Sequence, residues 1–210
     1  TGLPIEDFEK AGADYEARGV PKNPAGSIEG YLWPGTYDFH EGDSAEDILD
    51  EMVSRMTAQL EKKGIPKDKW HETLTIASIA EKEARDPDDY GKVVRTLENR
   101  LAGVGEAGGK PMNLQLDSTV AYFTKSETVS TTPEQRATDS PYNTYKHPGL
   151  PVGPISNPGD ATIDAVVNPP EGPWLYWVTV NTETGETKFA STKAEHDKNV
   201  REWREWAKTK

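Results

Sequence analysis

One carboxylate in the sequence lies where an acidic side chain is hard to solvate. Apolar residues recur at helical spacing between positions 67 and 85, which predicts an amphipathic helix. At about 100° per residue, Glu81 falls between Trp70 and Leu74, inside the apolar arc. A carboxylate in that position must be paired or must keep its proton, because an isolated buried charge is costly. A carboxyl group that keeps its proton near neutral pH is a general acid.

The same pattern has two structural explanations. Glu81 could belong to a buried ion pair, or the helix could be rotated so that Glu81 faces water. Glu83 lies at the edge of the apolar arc beside Glu72, where exposure to solvent is the simpler expectation. Glu81 is therefore the candidate catalytic residue, and Glu83 is expected on the surface.

Other reactive arrangements are weak or missing in the sequence. There is no cysteine, the four histidines show no paired ligand spacing, and Ser78 and Ser140 lack a nucleophile-elbow context. Residues 103–108 match a dinucleotide-binding fingerprint by letter, but they follow a predicted helix rather than a strand and are expected to be a flexible loop. We expect neither a metal site nor a cofactor.

A Pro- and Gly-rich stretch follows, at residues 140–145 (SPYNTY) and 149–159 (GLPVGPISNPG). Its tyrosine hydroxyls, its asparagine amides and its rigid backbone are suited to holding a polyhydroxylated ligand. A turn-rich connector with aromatic anchors would have the same composition.

The surrounding pattern predicts an α+β fold: a helical core carries the acid, and a β-hairpin and Pro/Gly-rich loops complete it. Capping signals fix several helix starts: Ser44 with Asp47, Asp86 before Pro87, Asp117, Asp160, and Thr192 with Glu195. The hairpin is predicted from strands at 174–180 and 186–190. Residues 126–138 are expected to be a polar loop, and residues 1–26 are expected to be a lead-in helix and linker.

Composition excludes several classes of protein. The 210 residues carry 24 Lys and Arg against 36 Asp and Glu, a net charge of −12, which argues against nucleic acid as a partner. No apolar stretch approaches the ~20 residues that a membrane-spanning helix needs.

Six motifs in order resemble those of the YceG-like endolytic murein transglycosylases, over about residues 28–200. They are residues 29–37 (EGYLWPGTY), 77–83 (ASIAEKE), 99–101 (NRL), 114–120 (LQLDSTV), 140–145 and 149–159. The sequence departs from the family pattern at Trp33, at Glu98 and in a longer loop at 103–110.

The resemblance implies a lytic transglycosylase that cuts the MurNAc–GlcNAc β-1,4 bond of peptidoglycan strands and leaves 1,6-anhydro-MurNAc ends. It implies that Glu81 is the catalytic acid and then the base. The polar motif residues are expected to bind sugar or to orient Glu81: Gln115, Asp117, Ser140, Tyr142, Asn143 and Tyr145.

The resemblance also implies an N-terminal membrane anchor and a LysM-like region before residues 27–210, which are expected to be the catalytic domain. That domain is expected to be a monomer at the outer face of the cytoplasmic membrane, with cell-wall synthases (penicillin-binding proteins) as candidate partners. Two alternatives stay open: a muramidase-type hydrolase with Asp117 as its second carboxylate, and a non-catalytic peptidoglycan-binding scaffold.

Overall fold

A computed structural model describes residues 2–126 and 131–209 and shows a mainly helical fold with one small sheet. In the described part of the chain, eight α-helices and one antiparallel hairpin follow in this order: α1 Ile5–Ala13, α2 Ala45–Lys62, α3 Trp70–Glu83, α4 Pro87–Ala102, α5 Asp117–Thr124, α6 Pro133–Ala137, α7 Asp160–Val167, β1 Tyr176–Asn181, β2 Glu186–Ala190 and α8 Lys193–Ala207. This arrangement agrees with the α+β prediction.

Helix α3 lies at the centre of the molecule and carries Glu81 near its C-terminal end. Every residue from Thr73 to Ala80 is buried, so the helix is enclosed on all sides rather than along one face. Helices α4, α5 and α7 pack around it. The small residues Ala77, Ser78 and Ala80 allow these neighbours to approach closely, and Leu74 and Ile79 fill the two main apolar clusters.

The hairpin and helix α8 form a layer at the other end of the chain. Strand β1 pairs with β2 in antiparallel register, Trp177 opposite Phe189, with an irregularity between Thr179 and Asn181. Helix α8 packs on both strands, and the ring of His196 stacks on Tyr176 with centroids 5.2 Å apart. The buried guanidinium of Arg100 in α4 ties this layer to the core, because it donates to the carbonyls of Leu175 and Leu114.

The predicted helix starts are confirmed where a capping box was expected. Ser44 with Asp47 and Thr192 with Glu195 form complete boxes, and Asp86 caps α4. Asp117 and Asp160 are instead the first residues of α5 and α7, one position after the cap. Their carboxylates are therefore left for contacts with other elements.

The loop expected at 126–138 contains a short helix. Thr132 and Gln135 form a third capping box, and Pro133 opens α6. Residues 127–130 of this predicted loop lie outside the described part of the chain. At the N-terminus, Ala11, Tyr15 and Val20 are buried among residues of later elements, so the segment expected to be a lead-in is packed into the core.

Candidate active site

Glu81 lies half-buried at the point where α3 leaves the core. Its Oε2 accepts a hydrogen bond of 2.8 Å from the hydroxyl of Thr162 and a longer one of 3.3 Å from the backbone N–H of Gly159. In the described part of the chain, no hydrogen bond reaches the other oxygen, Oε1. One oxygen is thus held in place, and the other is available to carry a proton to a ligand.

The side chain of Thr162 can serve Glu81 in either protonation state. Thr162 is fully buried at the start of α7, with its Oγ1 2.8 Å from Oε2 of Glu81 and 3.1 Å from the carbonyl of Gly159. The hydroxyl can donate to an ionised carboxylate, or donate to the Gly159 carbonyl while the carboxyl is protonated. Such a partner suits a residue that must act first as an acid and then as a base.

Tyr90 lies near Glu81, and the carboxyl group of Glu29 lies near Lys82, the residue that follows Glu81. Burial raises the pKa of Tyr90, and the negative charges of Glu81 and Asp86 raise it further. Burial also raises the pKa of Glu29, although the neighbouring ammonium group of Lys82 opposes the shift. The ring centroids of Tyr122 and Tyr142 are 4.8 Å apart, and burial followed by the nearby charge of Glu29 raises the pKa of Tyr122.

Glu83 is not the surface residue that the helical wheel predicted. It is half-buried, with Ser118 and Trp177 beside its carboxyl group. Burial raises the pKa of Glu83, its polar contacts with Ser118 and Trp177 lower it, and the charge of Asp117 raises it. The prediction was wrong because α5 and β1 cover the side of α3 that a wheel of one isolated helix leaves open. Glu83 thus lies where α3, α5 and β1 meet.

Asp117 is held within a network of its own. Its Oδ1 accepts hydrogen bonds from the Tyr145 hydroxyl at 2.7 Å and from the Thr131 hydroxyl at 2.5 Å, and it lies 3.7 Å from the Arg136 guanidinium. Burial raises the pKa of Tyr145, and its hydrogen bond to Asp117 raises it further. These contacts give Asp117 and Tyr145 a shared role in fixing the loop before Tyr145 against α5.

The remaining predicted binding residues fall into two groups. Asn143 is fully buried: its amide donates to the carbonyls of Arg136 and Thr138, and its oxygen accepts from Tyr145 N–H. As placed, Asn143 shapes the loop and has no surface to offer a sugar. Gln115 is exposed and adopts a positive φ of 51°, and Ser140 and Tyr142 are half-buried.

The loop after Tyr145 is fastened to α3 directly. The Ser78 hydroxyl accepts from Ile155 N–H at 3.0 Å, and the Ser156 hydroxyl donates to the carbonyl of Ser78 at 3.2 Å. Val152 supplies a carbonyl 2.9 Å from Nε2 of His71. These contacts hold the stretch that leads to Gly159, and they explain why a loop with so many prolines has a fixed path.

The sequence pattern missed Thr162. A buried threonine in the first turn of an apolar helix, three residues after a Pro–Gly pair, was the available signal. Two surface depressions are also present, of about 660 Å³ beside α1 and about 430 Å³ beside Ser140, and neither is lined by Glu81. The described residues contain no group of three or more His, Asp or Glu placed to hold a metal, and none of their helices is long and apolar enough to cross a bilayer.

Comparisons with known proteins identify related chains. A family model described as "YceG-like family" matches residues 5–202. The endolytic murein transglycosylase of Bacillus subtilis (strain 168) is 37% identical over 182 residues, which cover 84% of this chain and 48% of the relative. That of Streptococcus pneumoniae (serotype 2, strain D39) is 32% identical, covering 95% of this chain and 34% of the relative.

A solved structure shows the same fold. A 2.6 Å crystal structure of a YceG-like protein from Listeria monocytogenes is 36% identical, with a TM-score of 0.78, covering 93% of this chain and 67% of that chain. The chain spans about half the length of the Bacillus relative and about a third of the Streptococcus one. Because the family model matches nearly the whole of this chain and the chain shares the fold of the Listeria protein, this chain belongs to the YceG-like family.

Proposed function

We propose that this chain is a peptidoglycan lytic transglycosylase, in which Glu81 acts alone as acid and then base. The observation that carries the proposal is the asymmetric setting of the Glu81 carboxyl group. Oε2 is held by Thr162 and Gly159, while Oε1 is left without a hydrogen-bond partner among the described residues. The names of the Bacillus and Streptococcus relatives support the same activity.

The reaction needs only one carboxyl group because the nucleophile belongs to the substrate. Glu81 gives its proton to the oxygen between MurNAc C1 and GlcNAc C4, and the C1–O bond breaks with its electron pair on that oxygen. The C6 hydroxyl of the same MurNAc then bonds to C1, and its proton passes to the Glu81 carboxylate. The products are a free GlcNAc 4-hydroxyl and a 1,6-anhydro-MurNAc end, and no water is consumed. Proximity of the C6 hydroxyl replaces an activated water.

Three side chains converge on one oxygen of Asp117. Its Oδ1 is engaged by Tyr145, Thr131 and Arg136, much as Oε2 of Glu81 is engaged by Thr162 and Gly159. The product assay below therefore decides between this reaction and hydrolysis with Asp117 as a second carboxylate. We propose that Asp117 and Tyr145 fix the substrate loop, and that exposed Gln115 and half-buried Ser140 and Tyr142 contact the glycan.

Peptidoglycan strands lie outside the cytoplasmic membrane, so we propose that the protein acts there and shortens strands as they are made. The acidic net charge of −12 does not favour binding to an anionic wall polymer. A membrane tether and contact with cell-wall synthases would keep such a protein close to new strands.

The test is mass spectrometry of soluble products released from uncrosslinked nascent strands by this chain and by Glu81→Gln. We expect fragments one water lighter than reducing-end muropeptides, and a loss of at least about 100-fold in their rate of release with the variant. The melting temperature should change little, because glutamine has the same size and keeps an acceptor for Thr162. Reducing ends would identify a hydrolase instead, and binding to strands without products would identify a scaffold.

A further inference from the structure

The side chain of Asn157 joins two segments that are far apart in the sequence. Its Oδ1 accepts from the backbone N–H of Gly30 at 2.8 Å and of Leu32 at 3.1 Å, and its Nδ2 donates to Oε1 of Glu29 at 3.0 Å. All three of these hydrogen bonds join Asn157 to residues 29–32. We call Glu29, Gly30, Leu32 and Asn157 the Asn157 clamp.

The clamp lies next to the groups that hold Glu81. Only Pro158 separates Asn157 from Gly159, whose N–H donates to Oε2 of Glu81. Gly159 also precedes α7, whose first turn carries the Thr162 hydroxyl. Proline restricts the backbone between Asn157 and Gly159. A displacement of Asn157 would therefore also displace the two donors to Glu81, the Gly159 N–H and the Thr162 hydroxyl.

The other side of the clamp is shaped to receive this loop. Gly30 has a φ of +88°, and a Cβ built on it would lie 2.4 Å from Cγ of Pro154. Glycine is therefore required for the two segments to approach this closely. Glu29 is half-buried with Lys82, Tyr122 and Tyr142 near it, and burial raises its pKa.

Ser78 does not replace the clamp. It fixes Ile155 and Ser156 to α3, but those contacts end before the turn that places Gly159. Beyond Ser156, the side-chain hydrogen bonds of Asn157 hold the loop before Gly159 and Thr162 reach Glu81, together with the burial of Pro158. The clamp thus adds a constraint on the Glu81 donors that Ser78 does not supply.

We infer that Glu29 and Asn157 are positioning residues for the catalytic acid, and that they keep the Gly159 N–H and the Thr162 hydroxyl aligned on Glu81 without touching the glycan. This inference rests on the proposed function. Its physical basis is that a loop displaced by about 1 Å is enough to reduce a reaction rate by as much as about 100-fold.

The experiment compares four variants of this chain. Asn157→Ala and Glu29→Ala remove the two halves of the clamp. Glu29→Gln keeps an oxygen that accepts from Asn157. Asn99→Ala is the matched control, because the buried Asn99 amide also binds a segment distant in sequence, donating to the carbonyls of Gly172 and Trp174. The readouts are kcat and KM for anhydro-product release, and amide hydrogen exchange at Gly159 measured by NMR.

We expect Asn157→Ala to lower kcat by about 10- to 100-fold with KM changed less than about threefold. Glu29→Ala should lower kcat less, and Glu29→Gln should stay near the wild type. In Asn157→Ala, the amide hydrogen of Gly159 should exchange faster by about tenfold or more. In Asn99→Ala, its exchange rate should be unchanged.

Hydrogen exchange separates failure of this inference from failure of the proposed function. If the wild type releases no anhydro products, the proposed function fails, while the Gly159 amide still reports whether the clamp positions the donors. Unchanged exchange at Gly159 in Asn157→Ala overturns the inference whatever the activity. Equal losses of kcat in Glu29→Gln and Glu29→Ala also overturn it, because Glu29 would then act through its charge.

Discussion

The hydroxyl of Thr162 offers a quantitative test of how the structure assists Glu81. Thr162→Val keeps the shape of the side chain and removes the hydroxyl that lies 2.8 Å from Oε2. The fold should tolerate the change. The Gly159 carbonyl still accepts from Ile163 N–H at 3.2 Å, and Oε2 still accepts from Gly159 N–H at 3.3 Å.

The expected loss of rate comes from the difference between two hydrogen bonds. A bond to a charged group contributes about 1.5–3 kcal/mol and one between neutral groups about 0.5–1.5 kcal/mol. Only the difference, about 1–1.5 kcal/mol, favours the step in which the Glu81 carboxyl group becomes negative. At about 1.36 kcal/mol for each factor of ten, kcat should fall by about 5- to 13-fold with little change in KM.

The assay is the initial rate of anhydro-product release at saturating concentrations of uncrosslinked strands. Thr162→Ser keeps a hydroxyl and should retain most of the activity. Thr96→Val is the matched control, because Thr96 is also fully buried and donates to the carbonyl of Lys92 at 2.7 Å within α4. A kcat within twofold of wild type for Thr162→Val, or an equal loss for Thr96→Val, would refute the reasoning.

Two further predictions concern stability. Burial raises the pKa of Glu83 in the folded state, so its contribution to stability is full below its unfolded pKa of 4.5 and is lost as pH rises through the folded value. Glu83→Gln should therefore reduce the fall in melting temperature between pH 4.5 and neutral pH, and an unchanged slope in calorimetry would contradict this. Gly30→Ala should lower the free energy of unfolding, measured in urea, by at least about 1 kcal/mol more than Gly149→Ala, because overpacking costs about 1–3 kcal/mol. Both glycines have a φ of +88°, but only at Gly30 would a Cβ meet another residue, so equal losses would show that the approach of Pro154 is unimportant.

Local signals predicted the secondary structure well because they depend on neighbouring residues. A capping box such as Ser44 with Asp47 satisfies the first N–H groups of its own helix, so sequence spacing is sufficient to find it. The hairpin followed in the same way from two β-rich runs around Thr184 and Gly185. The cap predicted at Asp117 was one position off, since α5 begins at Asp117 itself. The Asp117 carboxylate accepts from Tyr145 and Thr131 rather than from an N–H of its own helix.

Glu81 was singled out by the sequence, but its environment was decided by the tertiary structure. A helical wheel distinguishes one apolar face from one polar face, whereas α3 is enclosed on all sides up to Ala80. Glu83 is covered by α5 and β1, and Glu81 meets the start of α7, which is 78 residues away in sequence at Gly159 and 81 at Thr162. No periodicity in α3 carries information about those partners.

The sequence by itself determined the fold class and the capped helices, and it predicted Glu81 as the candidate acid, because each of these follows from residue type and local spacing. Only the tertiary structure decided which oxygen of Glu81 is held, that Thr162 holds it, and that Asn157 is bound to residues 29–32. These contacts depend on how the chain returns to α3 after more than 70 residues, and the geometry of that return is set by packing of the whole core.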